Sequence, residues 1–341
     1  MENDLVSIII TTCNGDQRLV RAINSALRQS YNNIEIIVVD DNGIFSVNQK
    51  RTEKLISQFI ESGQIKYIVH GENKNGAAAR NTGVSNSSGK YIALLDDDDI
   101  YFPDRISKLI QLINSGNYAA AYSDVVFTYN GKPERIMEAE RNGFTAEQLL
   151  LDSSLLGTGS NIFVRKNYYE LINGFDESYT RYQDLEFMIR LLEKGKLIGC
   201  HEVLVMKDIT DARFFPDFED FLYIQDLFNK KNKKIIDHLD EEQLENYKLL
   251  KRKDLLLSAY LSQKQGIIKR AWQKLTEDCG EISFQEKMRI LKKRVYMQYF
   301  RSSLIKKNIH SFRSCIFRNK HKNLAYRLSD LISQYTFSTD S

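Results

Sequence analysis

Tyr91-Ile92-Ala93-Leu94-Leu95-Asp96-Asp97-Asp98-Asp99 is the stretch that decides the fold of this chain. A short, unbroken apolar run that follows Ser87-Ser88-Gly89 reads as a buried strand. It stops at four consecutive carboxylates, which repel one another. A hard divalent cation relieves that repulsion, because Mg²⁺ and Mn²⁺ favour carboxylate oxygens and keep positions open for phosphate. Open α/β sheets bind their ligands beyond the carboxyl ends of the strands. The plain alternative is a solvated acidic turn, and the flanking sequence decides between the two.

Upstream, Val6 to Thr12 is a β-branched run and reads as the first strand. Cys13-Asn14-Gly15-Asp16 breaks it, and Leu19, Val20, Ile23, Ala26 and Leu27 then recur at helical spacing. Ile34 to Val39 forms a second strand that ends in Asp40-Asp41-Asn42-Gly43, completing a βαβ unit with parallel strands. A helix over 49–62 and a strand over Ile65 to Val69 follow. The small residues from Gly76 to Gly83 suit a helix start packed tightly on the sheet, with free N–H groups facing an anion. Neither a P-loop nor a GxGxxG fingerprint is present.

Downstream, Pro103 opens a helix to about Ile113, and Ala119 to Asp124 is another strand. The polar stretch from Lys132 to Gly143 reads as a surface excursion. Ile162 to Val164 and Ile198 to Val205 are strands, with a helix from Gln183-Asp184 between them. Beyond Phe218 only helices are expected, over 218–262 and 281–335. The expected fold is therefore α/β, a Rossmann-like mixed sheet flanked by helices over 1–210, with a basic all-helical region over 211–341.

The 341 residues, 42% apolar and 27% charged, describe an ordinary globular protein with room for two domains. Cys13, Cys200, Cys279 and Cys315 have no CxxC spacing, which speaks against a zinc site or a disulfide framework and fits a reducing cytoplasm. The N-terminus reads without a leader, and no apolar run reaches the roughly 18 residues needed to span a bilayer. The net charge of +3 hides an asymmetry. From Lys287 onward there are 13 Lys and Arg against two acids, while the remainder holds 35 basic and 43 acidic residues.

Taken together, these stretches resemble a family-2 glycosyltransferase with the GT-A fold. The likeness is carried by Val6 to Thr11 with Asn14; Ala22 to Tyr31; Ile36 to Asp41; Gly76 to Gly83; Asp96 to Asp98 with Pro103-Asp104-Arg105; and Gln183-Asp184 before a helix. It implies a nucleotide-sugar donor, most often a UDP-sugar, bound with Mn²⁺ or Mg²⁺. By position, Thr11 and Asp41 line the base pocket, with Asp41 accepting from the uracil ring N–H. Asp96, Asp97 and Asp98 correspond to the family's DxD segment, in which Asp97 holds the ribose and Asp98 ligates the metal. Arg80 is a further donor contact. Asp184 matches the catalytic base that takes the acceptor's proton, and a single base opposite the leaving group gives inversion.

The chain departs from the family in carrying Thr11 and Cys13 where Pro and Tyr are usual, and Gln183 before Asp184 where Glu is usual. The late His of many relatives has no counterpart: His201 comes early, and Asp208 or Asp211 is the expected substitute. Glu186 is the rival base, Asp184 also reads as a helix N-cap, and Asp40, Asp99 and Asp124 read as structural. The competing functions are a degenerate GT-A subunit kept as a binding partner, and a sugar nucleotidyltransferase, whose Gly-rich loop is missing from Thr11 to Asp16. Met288, Leu291, Val295, Tyr299 and Ile305 recur among Lys and Arg, a pattern that suits peripheral contact with an anionic membrane. The resemblance implies a glycan or lipid-linked acceptor at the inner face of the membrane, which would bring the acceptor to that tail. An acceptor site and a homo-oligomer interface are its other readings, and no nucleic-acid motif is present.

Overall fold

The computed structural model describes residues 4–210 and 218–261. These fall into two compact units on either side of Asp211. The first is built on one mixed, nine-stranded sheet. In chain order its elements are β1 (Val6–Thr12), α1 (Gln17–Leu27), β2 (Ile34–Asp40), α2 (Val47–Glu61), β3 (Lys66–Val69), α3 (Gly76–Ser85), β4 (Tyr91–Asp96), β5 (Asp99–Tyr101), α4 (Arg105–Ile113), β6 (Ala120–Tyr129), β7 (Lys132–Met137), α5 (Ala146–Leu151), β8 (Phe163–Arg165), α6 (Lys166–Leu171), α7 (Gln183–Leu192) and β9 (Leu197–Asp208).

The strand order is β3-β2-β1-β4-β8-β6-β9-β5, with β7 on β6. β1, β2, β3 and β4 are parallel, as the βαβ connections require. The short β8 runs antiparallel between β4 and β6. β1 and β2 are apolar on both faces, so helices must cover both. The buried face of α1 presents Leu19, Ala22, Ile23 and Ala26, and Asp16 caps its start by accepting from the Arg18 N–H.

Gly83 sets how closely α3 can approach the sheet. A Cβ built there would lie 2.3 Å from Ile9 Cγ2 on β1. Gly83→Ala must therefore push the helix outward, and we expect a loss of about 1–3 kcal/mol in urea unfolding, the usual cost of overpacking.

Two of the differences from the sequence reading change the sheet. The chain from Lys132 to Met137 is not a surface excursion: it forms the strand β7, antiparallel to β6, with Pro133, Glu134 and Met137 buried. Its polar composition concealed it, and Pro133 is tolerated because β7 pairs on one side only. The strand at the Asp cluster ends at Asp96, and a second strand starts at Asp99, so the four aspartates span a tight reversal.

The second unit, over the residues described, is α8 (Phe218–Lys231), α9 (Lys233–Ile236) and α10 (Glu241–Leu261). α8 and α10 pack through Phe218, Phe221, Ile224, Phe228, Tyr247 and Leu255, all buried. The Tyr247 hydroxyl donates to Asn229 Oδ1 at 2.5 Å. No helix among the described residues is long and apolar enough to cross a membrane. The basic tail from Lys287, the helix expected over 281–335 and Asp211 lie outside the described residues, and with them the membrane and oligomer readings.

Candidate active site

β1 lies between β2 on one side and β4 on the other, and the chain crosses in opposite directions to reach them. This is the topological switch point where open α/β sheets hold ligands. Registry brings the strand ends together: Thr11 stands opposite Val39 and Asp96, and Thr12 opposite Asp40. Thr11 is half-buried there. Thr12 Oγ1 donates to Asp97 Oδ2 at 2.6 Å. Burial pushes the Asp97 carboxyl up to about 7, with Asp98, Asp96 and Asp16 adding to the rise and the Thr12 bond opposing it.

Asp41 follows β2 and is 3% exposed. Its two oxygens accept from His70 Nδ1 at 2.7 Å, the Lys74 N–H at 2.8 Å, the Asn75 N–H at 2.9 Å and Asn73 Nδ2 at 3.1 Å. Four donors match the roughly four lone-pair positions of a carboxylate. The Lys74 and Asn75 N–H groups precede α3, so Asp41 binds the loop ahead of the helix. The Asn75 side chain then caps α3 by accepting from the Ala78 N–H. Asp40 accepts from the Tyr67 hydroxyl at 2.6 Å and the Asn42 N–H at 2.8 Å, holding the turn. Cys13 lies beside these groups, with its sulfur 3.4 Å from Asn73 Nδ2. Burial first, then Asp41, Asp40 and Asp97, raise its thiol, which keeps it protonated.

The reversal between β4 and β5 gathers Asp96, Asp98 and Asp99, whose nearest oxygens all lie within 4.8 Å of one another. Three hard oxygen donors at that spacing fit a Mg²⁺ or Mn²⁺ ion. Asp99, read from the sequence as structural, is therefore the third member of the cluster. It is fully buried, accepts from Thr158 Oγ1 at 2.8 Å and lies 3.5 Å from Lys207 Nζ. Burial raises the Asp99 carboxyl to about 7, with Asp98 and Asp96 adding and Lys207 opposing. Burial also raises Asp98, against Lys207. Burial acts the same way on Asp96, but there Arg80 and Lys207 outweigh it and hold the carboxyl below its ordinary value. Asp208 is turned elsewhere, accepting from the Thr210 N–H at 2.9 Å, and His201 Nδ1 lies 3.9 Å from Asp124.

Arg80 on α3 joins this cluster to α7. Its Nη2 donates to Asp96 Oδ1 at 2.7 Å and its Nη1 to Gln183 Oε1 at 2.8 Å. The Ser160 Oγ accepts from the Asp96 N–H at 2.9 Å, which fixes the backbone at the same point. α7 begins after Tyr182, whose φ of +62° turns the chain sharply. Asp184 sits in the first turn, where the helix dipole favours an acid, and its Oδ1 accepts from the Leu185 N–H at 3.0 Å. The cap position belongs to Tyr182, without a side-chain bond. A Cβ on Gly159 would lie 3.6 Å from both Arg80 Nη2 and Asp184 Cβ, so Arg80 and Asp184 flank one small space. Glu186, by contrast, is buried and bound at both oxygens by Arg190, at 2.6 and 2.7 Å.

Arg80→Met would leave Asp96 beside Asp98 and Asp99 with its nearest cation removed. With the Arg80 and Asp96 side chains 10% and 26% exposed, we expect a loss of about 2–3 kcal/mol in denaturant unfolding, somewhat less than for a fully buried pair.

Comparison with known proteins adds four findings. The structure of S. aureus TarS 1–349 in complex with UDP-GlcNAc superposes with a TM-score of 0.58, covering 80% of each chain at 16% identity. The shared fold is GT-A, a mixed sheet flanked by helices. The family model described as glycosyl transferase family 2 matches residues 7–172. WfgD of Escherichia coli, a UDP-Glc:alpha-D-GlcNAc-diphosphoundecaprenol beta-1,3-glucosyltransferase, is 31% identical over 181 residues, which is 50% of this chain and 69% of that protein. With its strand-end carboxylates in place, the chain belongs to glycosyltransferase family 2. An uncharacterized glycosyltransferase of Rickettsia bellii is 30% identical over 59% of this chain, and the chain spans 29% of that protein's length.

Proposed function

We propose that this chain is an inverting, divalent-metal-dependent glycosyltransferase. In this reading it moves a sugar from a UDP-sugar to a glycan or lipid-linked acceptor in the synthesis of cell-surface polysaccharide or glycoconjugate. The observation that carries the reading is the link from the aspartate cluster through Arg80 to Gln183, with Asp184 next along α7 and sharing one small space with Arg80, at the switch point of the sheet. The donor of the WfgD relative and the UDP-GlcNAc in the TarS structure support a UDP-sugar. WfgD's diphosphoundecaprenol acceptor supports a lipid-linked one.

Asp98, with Asp96 and Asp99, would hold Mn²⁺ or Mg²⁺. When bound, the ion stabilises the negative charge that grows on the departing diphosphate. Asp97, fixed by Thr12, faces the ribose, and Thr11 lines the pocket beside it. We assign Asp41 to shaping the base pocket through the loop 70–75, since its own oxygens are already filled. Arg80 positions Asp96 and the start of α7. Asp184 takes the proton of the acceptor hydroxyl as that oxygen attacks the anomeric carbon and the bond to the diphosphate breaks. Attack from the face opposite the leaving group inverts the anomeric centre.

The test is to incubate the full chain with Mn²⁺, UDP-glucose or UDP-GlcNAc, and a synthetic lipid-diphosphate-linked sugar. Products are read by mass spectrometry and their anomeric configuration by NMR. The expected result is one added sugar in the β configuration. Intact donor with every acceptor, and no UDP release, would refute the proposal.

A further inference from the structure

Lys207 is a cation built into the aspartate cluster, and neither the sequence motif nor the proposed chemistry accounts for it. β5 pairs antiparallel with β9, and the register sets Asp99 directly opposite Lys207. The ammonium lies 3.5 Å from Asp99 Oδ1 and donates to Thr158 Oγ1 at 3.2 Å, the same hydroxyl that donates to Asp99 Oδ2. Asp99 is fully buried and cannot turn to water for compensation. The Lys207 side chain remains 27% exposed. Asp99, Asp98, Asp96 and Asp184 all act to keep the ammonium charged, outweighing the burial that opposes them.

Together with Arg80 on Asp96, the Lys207 charge among these carboxylates does part of what a divalent ion would do. It lowers their mutual repulsion and allows the fold to close around them without a metal. It also opposes the metal, because a bound Mg²⁺ or Mn²⁺ within the same group of oxygens would stand close to a like charge. We infer that Lys207 is the resident counter-cation at Asp99, beside the Arg80 pair on Asp96, competes there with the divalent ion, and must withdraw from Asp99 when the ion binds. This inference rests on the metal reading proposed above. The anionic diphosphate of the donor is the natural new partner for the withdrawn ammonium, so metal and donor should bind with positive coupling.

The experiment is calorimetric titration of Mn²⁺ into the full chain, without nucleotide and then with UDP. Lys207→Gln should bind Mn²⁺ at least about tenfold more tightly than the parent chain when no nucleotide is present, because a like charge has been removed. Lys207→Arg, which keeps the charge, should stay near the parent value. Equal or weaker binding by Lys207→Gln would overturn the inference while leaving the metal site intact. No Mn²⁺ binding by any of the three chains, with or without UDP, would overturn the metal reading and this inference with it. A second measurement on the unaltered chain needs no folded variant. Acetic anhydride labelling of Lys207, read by peptide mass spectrometry, should rise several-fold when Mn²⁺ saturates the site. Unchanged or reduced labelling would contradict the withdrawal.

Discussion

Asp184→Asn should lower the transfer rate by about three orders of magnitude and leave UDP affinity within about threefold of the parent chain, the pattern expected for loss of a general base. Asn matches Asp in size and can keep the Leu185 N–H bond through its carbonyl oxygen, so α7 should start in the same place. What is lost is the ability to take a proton. Glu186 cannot stand in, because Arg190 holds both its oxygens. Steady-state kinetics should show the fall in kcat with little change in donor KM, the pattern of an interaction made only in the transition state. Equal falls in UDP affinity and in rate would instead place Asp184 among the donor contacts.

Asp98→Ala should abolish the metal dependence of UDP binding, a loss of at least about a hundredfold in the presence of Mn²⁺ for removal of a direct ligand. In EDTA the parent and the variant should bind UDP equally weakly. The same change should raise thermal stability slightly, by about 0.5–1 kcal/mol at neutral pH. Burial raises the Asp98 carboxyl, with Asp96 adding to the effect. A carboxyl raised on folding costs stability when pH lies above its folded value, and the cost disappears as pH falls below its ordinary value. The gain from Asp98→Ala should therefore fade in acid. A variant that loses function while becoming more stable separates a ligand from a structural residue. Melting curves at pH 7.5 and pH 4, in EDTA, provide the check.

The parallel half of the sheet was legible because each strand is a dense β-branched or apolar run bounded by turn residues. The runs from Val6, Ile34 and Tyr91 gave β1, β2 and β4, and their carboxyl ends gave Thr11, Asp41 and the aspartates. The rest of the site depends on contacts that no local pattern reports. Lys207 ends an apolar run in β9 and looks like an ordinary polar residue near a strand end. Only its pairing with Asp99, far earlier in the chain, places it in the cluster. Asp99 looked structural for the same reason: its role comes from the reversal after Asp96 and from the strand beside it. Asp41 matched its motif, but the motif could not reveal that the loop 70–75 fills its oxygens. The strand β7 was concealed because an edge strand needs neither a continuous apolar run nor the absence of Pro.

The most direct test of the central claim is calorimetric titration of UDP into the full chain, first with Mn²⁺ and then with EDTA. UDP should bind with Mn²⁺ and at least about a hundredfold more weakly in EDTA, and Asp98→Ala should bind equally weakly in both conditions. UDP binding of equal strength in both conditions would contradict a metal-bridged donor. No binding in either, with GDP and dTDP also failing, would contradict a donor site and leave a degenerate GT-A subunit kept as a scaffold partner.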